Sequence, residues 1–148
     1  MVGTPGAAMK TFTLDEAQGL LPVLESLLSR AMEAKEAAIE LEEQQTELVR
    51  RILLSGGLLV DKAVVKKRKI TLAALIQRAK DSLEEINAIG VQVKDIDIGL
   101  LDFPCIIGNE TVLLCWKRGE PRIGFWHRVE DGFAGRQPID ERFGPLPS

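Results

Sequence analysis

The sequence has few of the residues that most often carry catalysis. Its 148 residues include one histidine and two cysteines, so motifs that need paired histidines, such as HExxH, are excluded. It also has no apolar run of about 18 residues, which excludes a predicted transmembrane helix. The 19 basic and 22 acidic residues give a net charge of −3, whereas a general nucleic-acid binder would carry a strong basic excess.

An export signal is missing from the first residues as well. Residues 1–9 have neither the basic start nor the apolar core of a signal peptide. We therefore expect a cytoplasmic protein in which the cysteines are free thiols. The length predicts one domain. We expect a disordered leader over residues 1–9, an α+β domain over residues 10–140 and a flexible tail over residues 141–148.

Within this domain, residues 10–90 are typical of helices. Thr13 and Glu16 have the spacing of a capping box, which predicts a helix start. Pro22 predicts either a kink or the first turn of a second, longer helix. Apolar and small residues then recur at alternating spacings of three and four, typical of a coiled-coil seam. The seam comprises Leu20, Leu24, Leu27, Ala31, Ala34, Ala38, Leu41, Gln45, Leu48 and Ile52.

A second helix is predicted over residues 71–89, with Thr71 as its N-cap and Gly90 just beyond its end. The two helices would form an antiparallel hairpin, in which the shorter helix covers only part of the longer one. The uncovered seam must meet either the β unit or another copy of the protein. We expect another copy, and so a homo-oligomer, because an exposed seam would form a large apolar patch.

The loop predicted between the helices ends in four basic residues, at positions 66–69. A phosphate or nucleic-acid contact is one interpretation of this run. A solvated loop is the favoured one, because the chain as a whole is acidic and no aromatic residues interrupt the run.

Residues 91–140 are predicted to form a three-stranded antiparallel meander. Two-residue turns are expected at Gly108–Asn109 and at Gly119–Glu120, although Pro121 makes the second turn less ideal. These turns fix the register, and one face of the sheet is then apolar and should pack on the helices. The predicted cross-strand neighbours are Phe103 and Leu114, Leu101 and Trp116, Cys105 and Val112, Trp116 and Ile123, Leu114 and Phe125, and Val112 and His127.

The opposite face of this predicted sheet carries Asp102, Cys115, Gly124 and Trp126. In this register Cys115 and His127 point to opposite faces, which argues against a nucleophilic Cys–His pair. A slip of one residue at the Gly119 turn would bring them to the same face.

His127 is the residue best suited to catalysis or metal binding, since carboxylates lie near it in the sequence. It could act as a general base or metal ligand, but the sequence favours a structural histidine because paired-ligand spacing is missing. Cys115 is likewise favoured as a small buried apolar residue over a reactive thiol. If the site is catalytic, the candidates are His127, Asp102, Cys115 and Glu120.

Two other kinds of site remain open from the sequence. The candidates for a ligand-binding surface are Asp97, Asp102, Cys115, Trp126 and Arg136. No metal or cofactor is expected, and a GxGxxG dinucleotide motif is missing. If a metal does bind, the candidate ligands are His127, Asp97, Asp102 and Glu130.

Several of these segments together resemble a known family. The segments are residues 93–95, 99–104, 114–116, 119–120, 126–127 and 132–136, with residues 12–17 and 20–22 near the start. They resemble the bacterial family catalogued as domain of unknown function 2203. The resemblance implies that these residues form one unit, and it assigns no catalytic role. The positions that it marks are Asp97, Asp102, Cys115, Trp116, Glu120, Trp126, His127 and Arg136.

The sequence thus favours an oligomeric cytoplasmic protein of unknown role. Its helices would mediate assembly, and its β unit would present a small binding surface. The alternatives are a metal-dependent or acid–base enzyme that uses His127 with nearby carboxylates, and a nucleic-acid accessory protein that uses the basic residues 66–69.

Overall fold

Two long helices occupy the first two-thirds of the chain in the computed structural model, which describes residues 10–57 and 62–144. Helix α1 spans Leu14–Leu54 and helix α2 spans Lys62–Ile89. The capping box at the start of α1 is confirmed, because the Glu16 amide donates to the Thr13 hydroxyl and the Glu16 carboxylate accepts from the Thr13 amide. The predicted leader, residues 1–9, lies outside the described residues.

Two outcomes were predicted for Pro22: a kink, or the start of a second helix. The second of these is wrong. Helix α1 is continuous through Pro22 for 41 residues. The proline ring is exposed, while Leu21 and Leu24 beside it are buried. The burial of this apolar face outweighs the one backbone hydrogen bond that proline removes.

Helix α2 begins earlier than predicted. Thr71 is an interior helical residue, and its hydroxyl donates to the Lys67 carbonyl at 3.0 Å, which satisfies it locally without ending the helix. The basic residues 66–69 therefore lie on a helix instead of in a loop, and residues 58–61 lie outside the described part. The helix ends as predicted, with Gly90 at a positive φ of 108°.

The helices form an antiparallel pair. Arg30 of α1 lies beside Ala74 and Ser82 of α2, whereas Leu48 lies beside Arg68. Leu24, Leu27 and Leu28 of α1 belong to the same buried core as residues of the sheet. The β unit therefore covers part of the seam, and contact with a second copy stays a prediction. No helix in the described segments is both long and apolar enough to span a membrane.

The sheet confirms the α+β class, but it has five antiparallel strands where three were predicted. Neighbouring strands follow chain order, from β1 to β5. The Gly108–Asn109 turn and the predicted register of β2 against β3 are confirmed, with Phe103 paired to Leu114 and Leu101 to Trp116. The strands are β1 Gln92–Asp95, β2 Leu100–Ile107, β3 Glu110–Lys117, β4 Phe125–Arg128 and β5 Gln137–Pro138.

The predicted register of β4 against β3 is wrong by one residue. Cys115 pairs with Phe125, and Leu113 pairs with His127. The connection runs from residue 118 to residue 124 and is not a two-residue turn, because Pro121 has no amide to donate to the ladder. The Ile123 amide donates instead to the Gln18 side chain of α1 at 2.6 Å, which draws this segment away from β3.

This shift exchanges the faces of the β4 side chains. Trp126 joins the core between the sheet and the helices, although the sequence placed it on the opposite face. It packs against Phe143 with ring centroids 5.6 Å apart. Phe143 belongs to a 3₁₀ turn, Glu141–Phe143, at the start of the predicted flexible tail. The described part of that tail therefore packs on the domain, and residues 145–148 lie outside the described part.

The different positions of two threonines provide a test of the helix boundaries. We expect Thr13→Ala to lower the free energy of unfolding by about 1 kcal/mol, because the first turn loses its cap. Thr71→Ala is expected to have no destabilising effect, because alanine is favoured inside a helix. Urea denaturation of both variants checks this, and a similar loss at Thr71 would argue that α2 starts there.

Candidate functional site

A carboxylate, a thiol and an imidazole meet on the face of the sheet that lies away from the helices. One ligand atom from each of Asp102, Cys115 and His127 lies within 4.8 Å of the other two. The three residues are 1%, 0% and 3% exposed, respectively. Three residues that the sequence analysis named for chemistry are thus brought together, and the site is sealed from solvent.

The three side chains come from three adjacent strands, one from each. Asp102 on β2 pairs directly with Cys115 on β3. His127 on β4 pairs with Leu113, two residues before Cys115, so it reaches the other two diagonally. The prediction that Cys115 and His127 point to opposite faces is therefore wrong. The cause is the one-residue shift of β4, which the sequence interpretation had left open.

The hydrogen bonds of His127 define where its protons lie. Its Nδ1 is 2.8 Å from the Arg128 carbonyl oxygen, which can only accept, so Nδ1 carries a hydrogen. Its Nε2 is 3.1 Å from Asp102 Oδ2. A neutral imidazole with hydrogen on Nδ1 has only a lone pair at Nε2, which cannot bond to a bare carboxylate. A hydrogen on Nε2 or on Asp102 Oδ2 is needed to complete this second hydrogen bond.

The second carboxylate oxygen of Asp102 is less well satisfied. Its Oδ1 atom is buried and makes no hydrogen bond of ordinary geometry, but the Cys115 thiol interacts with the Asp102 carboxylate as a weak hydrogen-bond donor. A buried carboxylate oxygen without a strong hydrogen bond costs free energy. The carboxylate, the thiol and the imidazole together form a set of ligand atoms that could hold a metal ion.

Burial raises the pKa of the Cys115 thiol to about 12, and the negative charge of Asp102 adds to this effect. Arg136 opposes it in part. Near neutral pH the thiol therefore keeps its proton, so Cys115 on its own is not an activated nucleophile. Cys105 lies on the helix-facing side, and burial raises its pKa too.

An ion pair lies beside the cluster. Arg136 donates to both carboxylate oxygens of Glu120, at 2.8 and 3.0 Å. The Arg136 guanidinium also stacks on the ring of Phe125 at 4.0 Å, and Phe125 is the neighbour of Cys115 on β4. Glu120 also accepts from the Lys117 amide at 2.7 Å. This pair fixes the turn before β4 to the segment after it and helps to enclose the cluster.

The other candidates from the sequence lie elsewhere. Asp97 is exposed and pairs with Lys35 of α1 at 2.6 Å. Glu130 is exposed after the end of β4. Neither belongs to the cluster. Trp126, proposed as part of a ligand-binding surface, is buried in the core, so Asp102, Cys115 and Trp126 do not form a solvent-facing surface.

Some contacts of the site were missed from the sequence. The Arg128 carbonyl, which orients His127, belongs to the backbone, so no residue type in the sequence predicts this contact. Phe125 was placed on the wrong face, and Pro121 was the available signal, because it argued against a tight turn. The Gln18 contact that fixes Ile123 joins residues far apart in the chain, and no local pattern predicts it.

Comparison with known proteins assigns the chain to a family. Residues 10–139 match the family described as uncharacterized conserved protein (DUF2203). The match covers most of the chain, and the protein belongs to this family, as the resemblance in the sequence indicated. No curated protein and no solved structure matches the chain.

The burial of both thiols leads to a prediction about their reactivity. We expect neither Cys105 nor Cys115 to react with iodoacetamide in the native protein at pH 8, because both side chains are buried and their pKa values are raised. Both should react in denaturant. Mass spectrometry of the alkylated protein measures this, and rapid native labelling of Cys115 would show that the cluster is open to solvent.

Proposed function

We propose that this protein binds one divalent transition-metal ion, of the zinc type, through Asp102, Cys115 and His127. The observation that carries the proposal is the convergence of these three buried ligand atoms within 4.8 Å. Carboxylate oxygen, thiolate sulfur and imidazole nitrogen are the usual zinc ligands in proteins. Bonds to such an ion are about 2.0–2.3 Å long, which places tetrahedral ligand atoms roughly 3.3–3.8 Å apart, so a distance near the 4.8 Å limit would contract by about 1 Å.

The charges of this ligand set favour a divalent ion. A bound ion would replace the thiol hydrogen of Cys115 and any hydrogen between His127 and Asp102, which would be released to solvent. The carboxylate and the thiolate together carry two negative charges, and the imidazole is neutral. The centre would then have no net charge, which matters because a buried net charge is costly.

The surroundings of the ligands support the same proposal. Histidine ligands of metals usually donate their second ring nitrogen to a carbonyl or carboxylate, which orients the ring. The Nδ1–H of His127 already donates to the Arg128 carbonyl, which leaves Nε2 as the ligand atom. The Oδ1 atom of Asp102, which makes no hydrogen bond of ordinary geometry, supplies a further oxygen that a metal could use.

The role we infer for this metal is structural. Its ligands come from three adjacent strands, so the ion would tie β2, β3 and β4 together. Each ligand residue is at most 3% exposed, and Asp102 Oδ1 would supply the fourth donor atom that a closed zinc centre needs. A reducing compartment, as expected for a cytoplasmic protein, would keep Cys115 available as a ligand.

Metal binding can be tested with two cysteine variants. We expect protein stripped of metal to bind about one equivalent of Zn²⁺ in calorimetry, and Co²⁺ to give a thiolate-to-metal absorption band. At a free metal concentration of about 100 times Kd, binding should stabilise the fold by roughly 2.7 kcal/mol and raise Tm by about 5–10 °C. Cys115→Ser should lose the absorption band and most of the Tm shift.

Cys105→Ser is the matched control, because Cys105 is also buried but lies on the other face of the sheet. It should bind metal as the parent protein does. If Cys115→Ser does not fold, as judged by circular dichroism, His127→Gln and Asp102→Asn make the same test. Failure of the folded parent to bind Zn²⁺ or Co²⁺ at micromolar concentrations would refute the proposal, as would unchanged binding in the Cys115 and His127 variants.

A further inference from the structure

The far end of the helical hairpin lacks a core of its own. We call residues 40–54 of α1 and residues 62–79 of α2 the distal hairpin. The last buried residue of α1 is Ala38, and the buried residues of α2 are Ser82 and Ile86, so no described side chain of the distal hairpin is buried. Its seam residues Leu41, Leu48 and Ile52 are only half-buried.

Several large apolar side chains of the distal hairpin are exposed to solvent. They are Val49, Leu53, Leu54, Val64, Ile70 and Ile76, and Leu53 and Leu54 are 72% and 74% exposed. Two helices side by side cannot bury their apolar faces completely, whereas four helices around one core can. A partner with helices of its own would therefore suit this surface.

Three glutamates of α1 and three lysines of α2 form two strips on the distal hairpin. The acidic strip consists of Glu40, Glu43 and Glu47, which line a groove between the helices together with Gln44, Leu48, Arg51 and Arg68. The basic strip consists of Lys62, Lys66 and Lys69, which lie around Val65 on α2. Among the described residues, no ion pair joins one strip to the other; Glu47 instead contacts Arg50 and Arg51.

The spacings of the two strips match in antiparallel order. The acidic residues are separated by three and then four positions, and so are the basic residues when they are taken backwards from Lys69. Both strips cover about 10 Å of helix at 1.5 Å per residue. In an antiparallel alignment Glu40 would meet Lys69, Glu43 would meet Lys66, and Glu47 would meet Lys62.

We propose that the distal hairpin docks on the distal hairpin of a second copy of this chain. The three lysines of each copy lie antiparallel along the three glutamates of the other, which produces a twofold-symmetric four-helix bundle. Each contact then occurs twice, as a symmetric dimer requires. Both strips are on the same chain and are complementary to each other, so a second copy satisfies both at once. An anionic partner such as a nucleic acid would satisfy only the basic strip.

Leu48 and Val65 supply the apolar contact between the strips in this arrangement, and the charges determine the register. Exposed ion pairs contribute roughly 0–1 kcal/mol each, and their larger effect is on orientation and association rate. Val65 and Leu48 lie among the charged residues of the two strips, so docking would bury apolar side chains between the ion pairs.

A charge-swap experiment on the central pair tests this arrangement. Glu43 and Lys66 are the best residues for it, because Glu47 already has partners within its own helix. We expect the parent protein to be a dimer at tens of micromolar in analytical ultracentrifugation. Glu43→Lys or Lys66→Glu alone should weaken the dimer about tenfold, because two like-charge contacts form in each case. The double variant Glu43→Lys/Lys66→Glu should recover the parent affinity.

Glu42→Lys and Lys67→Glu are the matched controls, because each lies beside its test residue in sequence but points away from the strip. Neither should weaken the dimer about tenfold. A monomeric parent protein at tens of micromolar would overturn the proposal. So would a double variant no better than the single ones, since the pairing would then be absent. Salt-sensitive binding of nucleic acid by a monomer, lost in Lys66→Glu, would show that the basic strip serves a different partner.

Discussion

The position of β4 against β3 is the constraint on which the candidate site depends. In the observed register Cys115 and His127 share the face of Asp102, whereas a shift of one residue would send His127 into the core and Trp126 out of it. The register is not maintained by the strands alone. On one side, the Gln18 side chain accepts a hydrogen bond from the Ile123 amide. On the other side, the Glu120–Arg136 ion pair fixes the adjoining turn. Helix α1 thus contributes to the geometry of a site that it does not touch.

This arrangement gives the sheet two differently built faces. The face toward the helices is held by apolar side chains such as Phe103, Leu114 and Trp116. The opposite face buries Asp102, Cys115 and His127, whose polar atoms are only partly satisfied by one another. Burying such groups costs free energy unless they are paired or bind an ion.

The sequence was a good guide wherever a local pattern had one physical outcome. The capping box at Thr13, the glycine after α2 and the Gly108 hairpin each depend on a few adjacent residues, and each is where it was predicted. The predictions that proved wrong involved tertiary contacts. Pro22 and Thr71 each resemble a boundary when only their neighbours are considered, yet burial beside Pro22 and a hydroxyl bond at Thr71 let the helices continue. Asp102, Cys115 and His127 could all be named from residue type, but their convergence depended on Gln18, about a hundred residues away in the chain.

The unbroken course of α1 through Pro22 has a mechanical consequence. At 1.5 Å per residue its 41 residues form a rod about 60 Å long. One end of this rod is embedded under the sheet, and the other end carries the exposed leucines Leu53 and Leu54. A helix has no soft joint unless something interrupts its hydrogen bonds, and after Pro22 the rest of α1 contains neither proline nor glycine. Whatever holds the far end of α1 therefore also sets the direction in which the sheet faces.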